Sequence, residues 1–229
     1  MLRTKLRTLI RDTTGFDVHK YEPGQTAVTD IKRLIGRDKP VLFDVGANIG
    51  QTIDDLLAAF PRSEVHAFEP GEKAFGILSE RHSQTAILNH CGVGSAEQDH
   101  RLFFESAGTV MSSFLPIGAE GWGAEGIQQS VAVTTVDAYC SRKGIDHIDL
   151  LKTDVQGYDL EVLKGANRML SERRVSLIYI EINFAEMYEG QARADEILRF
   201  IFDHGLRLVA FYKMHMLNGK AGWVEALFA

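Results

Sequence analysis

The residues able to do chemistry gather at the ends of short apolar runs. Val41–Gly50 reads VLFDVGANIG, an apolar run that carries Asp44 and then Gly46, Asn48 and Gly50. Gly46 permits a tight turn and close approach of backbone to a ligand, and Gly50 lets a helix begin close to a sheet. About 20 residues further on, Glu69 closes a second run, where a carboxylate can accept hydrogen bonds from ribose hydroxyls. A dinucleotide requires GxGxxG, so that its pyrophosphate meets a helix N-terminus. The loop here is DxGxxxG, without the second close glycine and with a carboxylate in place. A carboxylate suits an ammonium group and repels a pyrophosphate. Asp44 and Glu69 together therefore favour S-adenosylmethionine, which has an ammonium, a ribose diol and no phosphate, over NAD. Asp44, Gly46, Asn48 and Glu69 are expected along its methionine and ribose ends. Asn89, Gly92 and Val93, at the end of a third run, are expected near the adenine.

A second set lies later in the chain. Asp154 follows the run Ile148–Lys152, and Glu181 and Asn183 sit at the outgoing end of Ser176–Asn183. An aliphatic hydroxyl is a poor nucleophile and gains from a group that removes its proton. Asp154 is the candidate for aligning or deprotonating such an acceptor, with Lys152 and Glu181 as its catalytic neighbours. The competing reading makes Asp154 a helix cap paired to Lys152. Asp154, Glu181 and Asn183 are also hard oxygen ligands that could hold Mg²⁺. His215, between two terminal strands, is another base candidate. His66 and His90 border strand ends and read as packing residues.

These positions need elements to hold them. Val41–Gly46, Glu64–Glu69 and Thr85–Asn89 read as strands, separated by helices over Gln51–Phe60 and Glu72–His82. That β-α-β-α-β order implies a parallel sheet with right-handed crossovers. Strand-like pieces follow at Arg101–Glu105 and Ser130–Thr135. Between them, Ser106–Gln129 is a glycine-rich loop with Trp122, which could close over an acceptor. Helices are expected over Val136–Lys143, Tyr158–Leu170 and Ala192–His204. Leu206–Tyr212 and Trp223–Phe228 form a terminal hairpin around Asn218-Gly219, a strong turn signal. The pattern is a three-layer α/β sandwich, and no linker divides it.

Composition narrows the function. The 229 residues are 45% hydrophobic and 24% charged, which excludes a disordered or fibrous chain. The net charge of −6 does not suggest a nucleic-acid partner. Two cysteines, Cys91 and Cys140, make no disulfide framework, so a reducing, cytoplasmic compartment is expected. No apolar run approaches the roughly 18 residues of a membrane span. The first residues, MLRTKLRTLIRD, read as an amphipathic helix packed on the domain.

Six segments carry a family resemblance: Val41–Thr52, His66–Pro70, Leu88–Gly94, Thr134–Cys140, Ile148–Ala166 and Ile178–Asn183. In this order the chain resembles the FkbM-type S-adenosylmethionine-dependent methyltransferases. The block around Lys152–Gly165 is the most specific. It departs from the family's KxDxEGxE at Gln156, which loses a carboxylate, and at Asp159, which keeps one. The resemblance implies a class I methyltransferase (Rossmann-like) fold with a mostly parallel seven-stranded sheet, whose last two strands the C-terminal antiparallel hairpin supplies. It implies residues 40–229 as the methyltransferase domain, preceded by a helical segment over 1–39. It also implies O-methylation of a hydroxyl on a small molecule, such as a sugar or natural product. An NAD-dependent oxidoreductase and a catalytically silent nucleoside-binding protein are the alternatives.

Overall fold

The computed structural model describes residues 9, 12–14, 22–122 and 126–229. Helix α1 (Ala27–Ile35) precedes β1 (Val41–Val45), α2 (Gln51–Ala59), β2 (Glu64–Phe68), α3 (Glu72–His82) and β3 (Ile87–Asn89). Next come β4 (Gly92–Val93), β5 (Gln98–Glu105), β6 (Ile127–Thr134), α4 (Val136–Lys143) and β7 (Ile148–Thr153). The chain closes with α5 (Asp159–Gly165), α6 (Asn167–Ser171), β8 (Val175–Asn183), α7 (Ala194–Asp203), β9 (Leu208–Leu217) and β10 (Lys220–Phe228).

Seven strands form one sheet in the order β3-β2-β1-β7-β8-β10-β9. The pairs among β3, β2, β1, β7 and β8 are parallel, while β10 runs antiparallel to both β8 and β9. Alternate residues of each strand enter opposite cores. Leu42, Leu150, Leu177 and Leu227 pack under α1 and α2, whereas Phe43, Leu151, Ile178 and Phe228 pack under α4 to α7. Burial on both faces explains why these strands read as continuous apolar runs. The strand order reverses between β1 and β7, and ligands bind at such a switch, beyond the carboxyl ends of the strands.

The expected hairpin is present. Asn218 and Gly219 have φ of 49° and 77°, the left-handed pair that a tight hairpin with the native strand twist needs. The strands near 101–105 and 130–134 stay out of the main sheet and join β4 in a three-stranded sheet, β4-β6-β5. Its apolar side packs Phe103 and Val133 against Phe114 and Tyr158. The helix expected over Tyr158–Leu170 is two helices. A Cβ on Gly165 would sit 2.0 Å from the Gly94 carbonyl oxygen, so the chain presses against β4 there. Asp137 then accepts from the backbone N–H groups of Arg168 (2.7 Å) and Met169 (3.0 Å), which starts α6.

The amphipathic helix expected from the first twelve residues lies almost wholly outside the described residues. Helix α1 packs on the core through Ile31. Its Asp30 accepts from the Tyr212 hydroxyl at 2.8 Å and from the Gly24 N–H at 2.7 Å. No described helix is long and apolar enough to cross a membrane.

Candidate active site

The turn after β1 builds the floor of the site. Gly46 has φ of 78°, and a Cβ there would meet the Asp154 carbonyl oxygen at 1.9 Å. Only glycine lets the β1 and β7 ends approach so closely. Asn48 also lies in the left-handed region, at φ of 49°, which turns its N–H toward Glu69 Oε2 at 2.9 Å. Glu69 Oε1 accepts from the Gly71 N–H at 2.7 Å. Burial is the main cause that lifts the Glu69 carboxyl to about 7, against these two N–H groups and with Glu105 nearby pushing the same way.

Asp44 is fully buried beneath this floor. Lys152 Nζ sits 2.8 Å from Asp44 Oδ1, 3.9 Å from Asp154 Oδ2, and donates to the Gly46 carbonyl at 3.0 Å. Burial by itself would lower the Lys152 ammonium, but Asp44 and Asp154 outweigh it and hold it above the ordinary lysine value. The ion pair ties β1 to β7, which are neighbours with Asp44 opposite Lys152. Direct contact of Asp44 with a ligand ammonium, the expectation from sequence, is not what this geometry offers. Its partner is internal, and it braces the loop that faces the ligand.

Two cavities open above the strand ends. The first, about 270 Å³, is lined by Gly46, Asn48, Glu69, Gly92 and Val93, with Thr52, Lys152, Asp154 and Gln156 at its far end. Phe103 of β5 and Phe114 of the glycine-rich loop add an aromatic wall. The Phe114 ring covers Gly92 so closely that a Cβ there would lie 2.3 Å from it. The second cavity, about 250 Å³, lies on the α1 and α2 side. Asp154, Glu181, Glu225 and Tyr179 line it, and Ala27, Val28 and Ile31 of α1 roof it. Thr52, Lys152 and Asp154 belong to both walls.

Between Asp154 and Glu181 lies an amide. Gln156 Nε2 donates to Asp154 Oδ1 at 2.8 Å and to Glu181 Oε1 at 3.4 Å. The Tyr188 hydroxyl donates to Gln156 Oε1, and the Ser113 hydroxyl donates to its backbone oxygen. Asn183 Nδ2 adds a 3.4 Å bond to Glu181 Oε1. Burial first, then Asp154 and Asp159, push the Glu181 carboxyl well above the usual range. Burial also lifts Asp159 to about 7. The Mg²⁺ expectation at Asp154, Glu181 and Asn183 finds no support: Asn183 turns its amide N–H, not its oxygen, toward Glu181, and the Gln156 amide lies between the two carboxylates. Among the described residues no cluster of His, Cys, Asp and Glu could hold a metal ion.

The other expected residues are placed as follows. Gly50 starts α2 but faces the His82 ring, where a Cβ would be 2.4 Å away, so it serves helix packing and not the cavity wall. The side chain of Asn89 donates to the Ala67 carbonyl at 3.0 Å and lines neither cavity. His66 bonds to Tyr139 at 2.8 Å and His90 stacks on Phe75 at 4.3 Å, both as packing groups. His215 stacks on Trp223 at 4.6 Å, and Trp122 packs on the same ring at 5.2 Å. None of these three lines either cavity. Phe114 comes from the glycine-rich loop that sequence placed over the site. Sequence reasoning missed Thr52, Tyr179 and Glu225, which carry no local signal of a site.

The fit of the first cavity to S-adenosylmethionine rests on its polar atoms. Asn48 Oδ1 is buried without a hydrogen-bond partner among the described residues, and Glu69 lines the same space. Phe103 and Phe114 offer an apolar wall beyond Gly92 and Val93. The order of the strands and this cavity fit a class I, Rossmann-like methyltransferase that uses S-adenosylmethionine. Residues 44–208 match the Methyltransferase FkbM domain, and the chain belongs to that family. It is similar to the 2-O-methyltransferase NoeI of Sinorhizobium fredii, 25% identical over 86% of this chain and 82% of that one. It is also similar to the 31-O-demethyl-FK506 methyltransferase FkbM of Streptomyces tacrolimicus, 27% identical over 76% and 75% of the two chains. The hexuronic acid methyltransferase AglP of Haloferax volcanii is 29% identical over 67% of this chain and 62% of that one. Among solved structures, the METTL16 methyltransferase domain shares the fold, with a TM-score of 0.52 at 11% identity over 100% of this chain and 79% of that one.

Proposed function

We propose that the protein is an O-methyltransferase acting on a hydroxyl of a small molecule of the sugar or natural-product type. One observation carries this reading: two cavities meet at Thr52, Lys152 and Asp154. The first would hold S-adenosylmethionine, with Glu69 toward the ribose, Gly46 and Asn48 toward the methionine end, and Gly92 and Val93 toward the adenine. When bound, it supplies an electrophilic methyl on a good leaving group, so the protein has mainly to align the acceptor and exclude water. The acceptor would enter the second cavity and bring its hydroxyl to Asp154. Asp154 Oδ1 is fixed by Gln156, while Oδ2 accepts no hydrogen bond among the described residues. That oxygen takes the hydroxyl proton as the new C–O bond forms. Lys152 Nζ lies 3.9 Å from that oxygen. Glu181, joined to Asp154 through the Gln156 amide, would accept from a second hydroxyl of the acceptor. The names of the three relatives, two of them O-methyltransferases or O-demethyl-product methyltransferases, support the hydroxyl as acceptor.

Release of S-adenosylhomocysteine with a panel of hydroxylated compounds, and analysis of the methylated product, tests this. Asp154→Asn should lower kcat by about 10²–10⁴-fold with donor affinity nearly intact. Full turnover by this variant on a genuine acceptor would remove the proton-accepting role. Methyl groups found on nitrogen or carbon would remove the hydroxyl.

A further inference from the structure

The second cavity has an unbalanced wall. Asp55, Asp154, Glu181 and Glu225 line it, and Lys152 is its single cation among the described residues. Lys152 is already committed to Asp44 at 2.8 Å. Two carboxyl oxygens are left open toward the space. Glu181 Oε2 accepts no hydrogen bond among the described residues, since Gln156 and Asn183 both donate to Oε1. Glu225 Oε2 takes the Tyr179 hydroxyl at 2.7 Å, and Oε1 has no donor among the described residues. Apolar side chains, Ala27, Val28 and Ile31 of α1 with Leu56 of α2, also line the cavity. Carboxyl oxygens accept from hydroxyl and ammonium groups, and an apolar lining suits the C–H face of a ring. An anion entering here would meet like charge, with no free lysine or arginine among the described residues of the lining to receive it.

Resting on the reading above, we propose that this cavity is the acceptor subsite and that it selects a polyol ring without negative charge over an anionic one such as a uronate. Glu181 and Glu225 are its specificity-determining residues. They bind hydroxyls of the ring, and they penalise a carboxylate in its place.

The test uses the full chain, S-adenosylmethionine with a labelled methyl, and paired oligosaccharides that differ only in hexose against hexuronic acid at one ring. The neutral member should be methylated at least about ten-fold faster in kcat/KM, the size expected for an unpaired like charge. Glu225→Gln and Glu181→Gln, each isosteric, should shrink that preference by about three-fold or more. Equal or faster methylation of the uronate would overturn the charge selection while leaving the methyltransferase reading intact. A preference for the neutral member that both variants keep in full would place the discrimination elsewhere and overturn it as well. If a variant does not fold, the wild-type comparison decides alone. Tight binding of S-adenosylhomocysteine with no transfer to any hydroxylated compound would overturn both readings.

Discussion

Lys152→Met is the sharpest perturbation of the site's foundation. The substitution keeps the length and apolar stem of the side chain and removes only the ammonium. It leaves Asp44, at 0% exposure, without the charge that lies 2.8 Å from it. Neither Asp44 oxygen has another hydrogen-bond donor among the described residues, so nothing nearby can compensate. Removing one partner of a buried pair typically costs about 3–5 kcal/mol, because the surviving charge stays desolvated. At about 2–4 °C per kcal/mol for a domain of this size, Tm should fall by roughly 6–20 °C. The Gly46 carbonyl also loses its 3.0 Å donor, so the donor loop should loosen and S-adenosylhomocysteine should bind less tightly. Asp44→Asn combined with Lys152→Met removes both charges and should recover most of the stability. Differential scanning calorimetry and urea unfolding at pH 7 measure these effects. A loss under about 1 kcal/mol in Lys152→Met would refute the reasoning, as would a double variant no more stable than the single one.

Two further outcomes follow from the donor cavity. Burial raises Glu69 from the ordinary 4.5 to about 7, so the folded protein holds a proton there that the unfolded chain has lost. Its contribution therefore weakens the fold as pH rises between those values. If ribose hydroxyls bind the ionised form, S-adenosylhomocysteine should displace that proton, and its affinity should drop as pH falls below about 7. Calorimetric titration at pH 7 in buffers of different ionisation enthalpy would read the proton release; identical heats in all buffers would count against it. Gly46→Ala would force a Cβ to 1.9 Å from the Asp154 carbonyl oxygen at a φ of 78°. It should cost about 2–4 kcal/mol and abolish measurable donor binding, whereas a variant with wild-type Tm and affinity would contradict the close approach of β1 to β7.

Much of the frame was legible in the residues alone. The alternation of apolar runs with helical periods marks β1 to β3 with α2 and α3, because a strand buried on both faces leaves an uninterrupted apolar run. Asn218-Gly219 announces its turn, since few other pairs accept two positive φ values. Gly46, Asn48, Glu69 and Asp154 could be singled out because strand ends, glycine and carboxylates are local signals. Other features are pairings between residues far apart in sequence. That Asp44 pairs with Lys152 follows from β1 lying beside β7, an order that no local pattern contains. The same holds for Gln156 between Asp154 and Glu181, for Glu225 brought beside Glu181 across β10 and β8, and for α1 over the second cavity. The division of the helix at Ala166 depends on Gly94 and Asp137, both outside it. Sequence by itself determined which residues lie on strands, which turns are possible and which ends could bear chemistry, because those depend on neighbours along the chain. Tertiary structure alone decided which carboxylates are buried, which are paired and which face open space, because charge and burial depend on whatever the packed sheet and helices bring within a few ångströms.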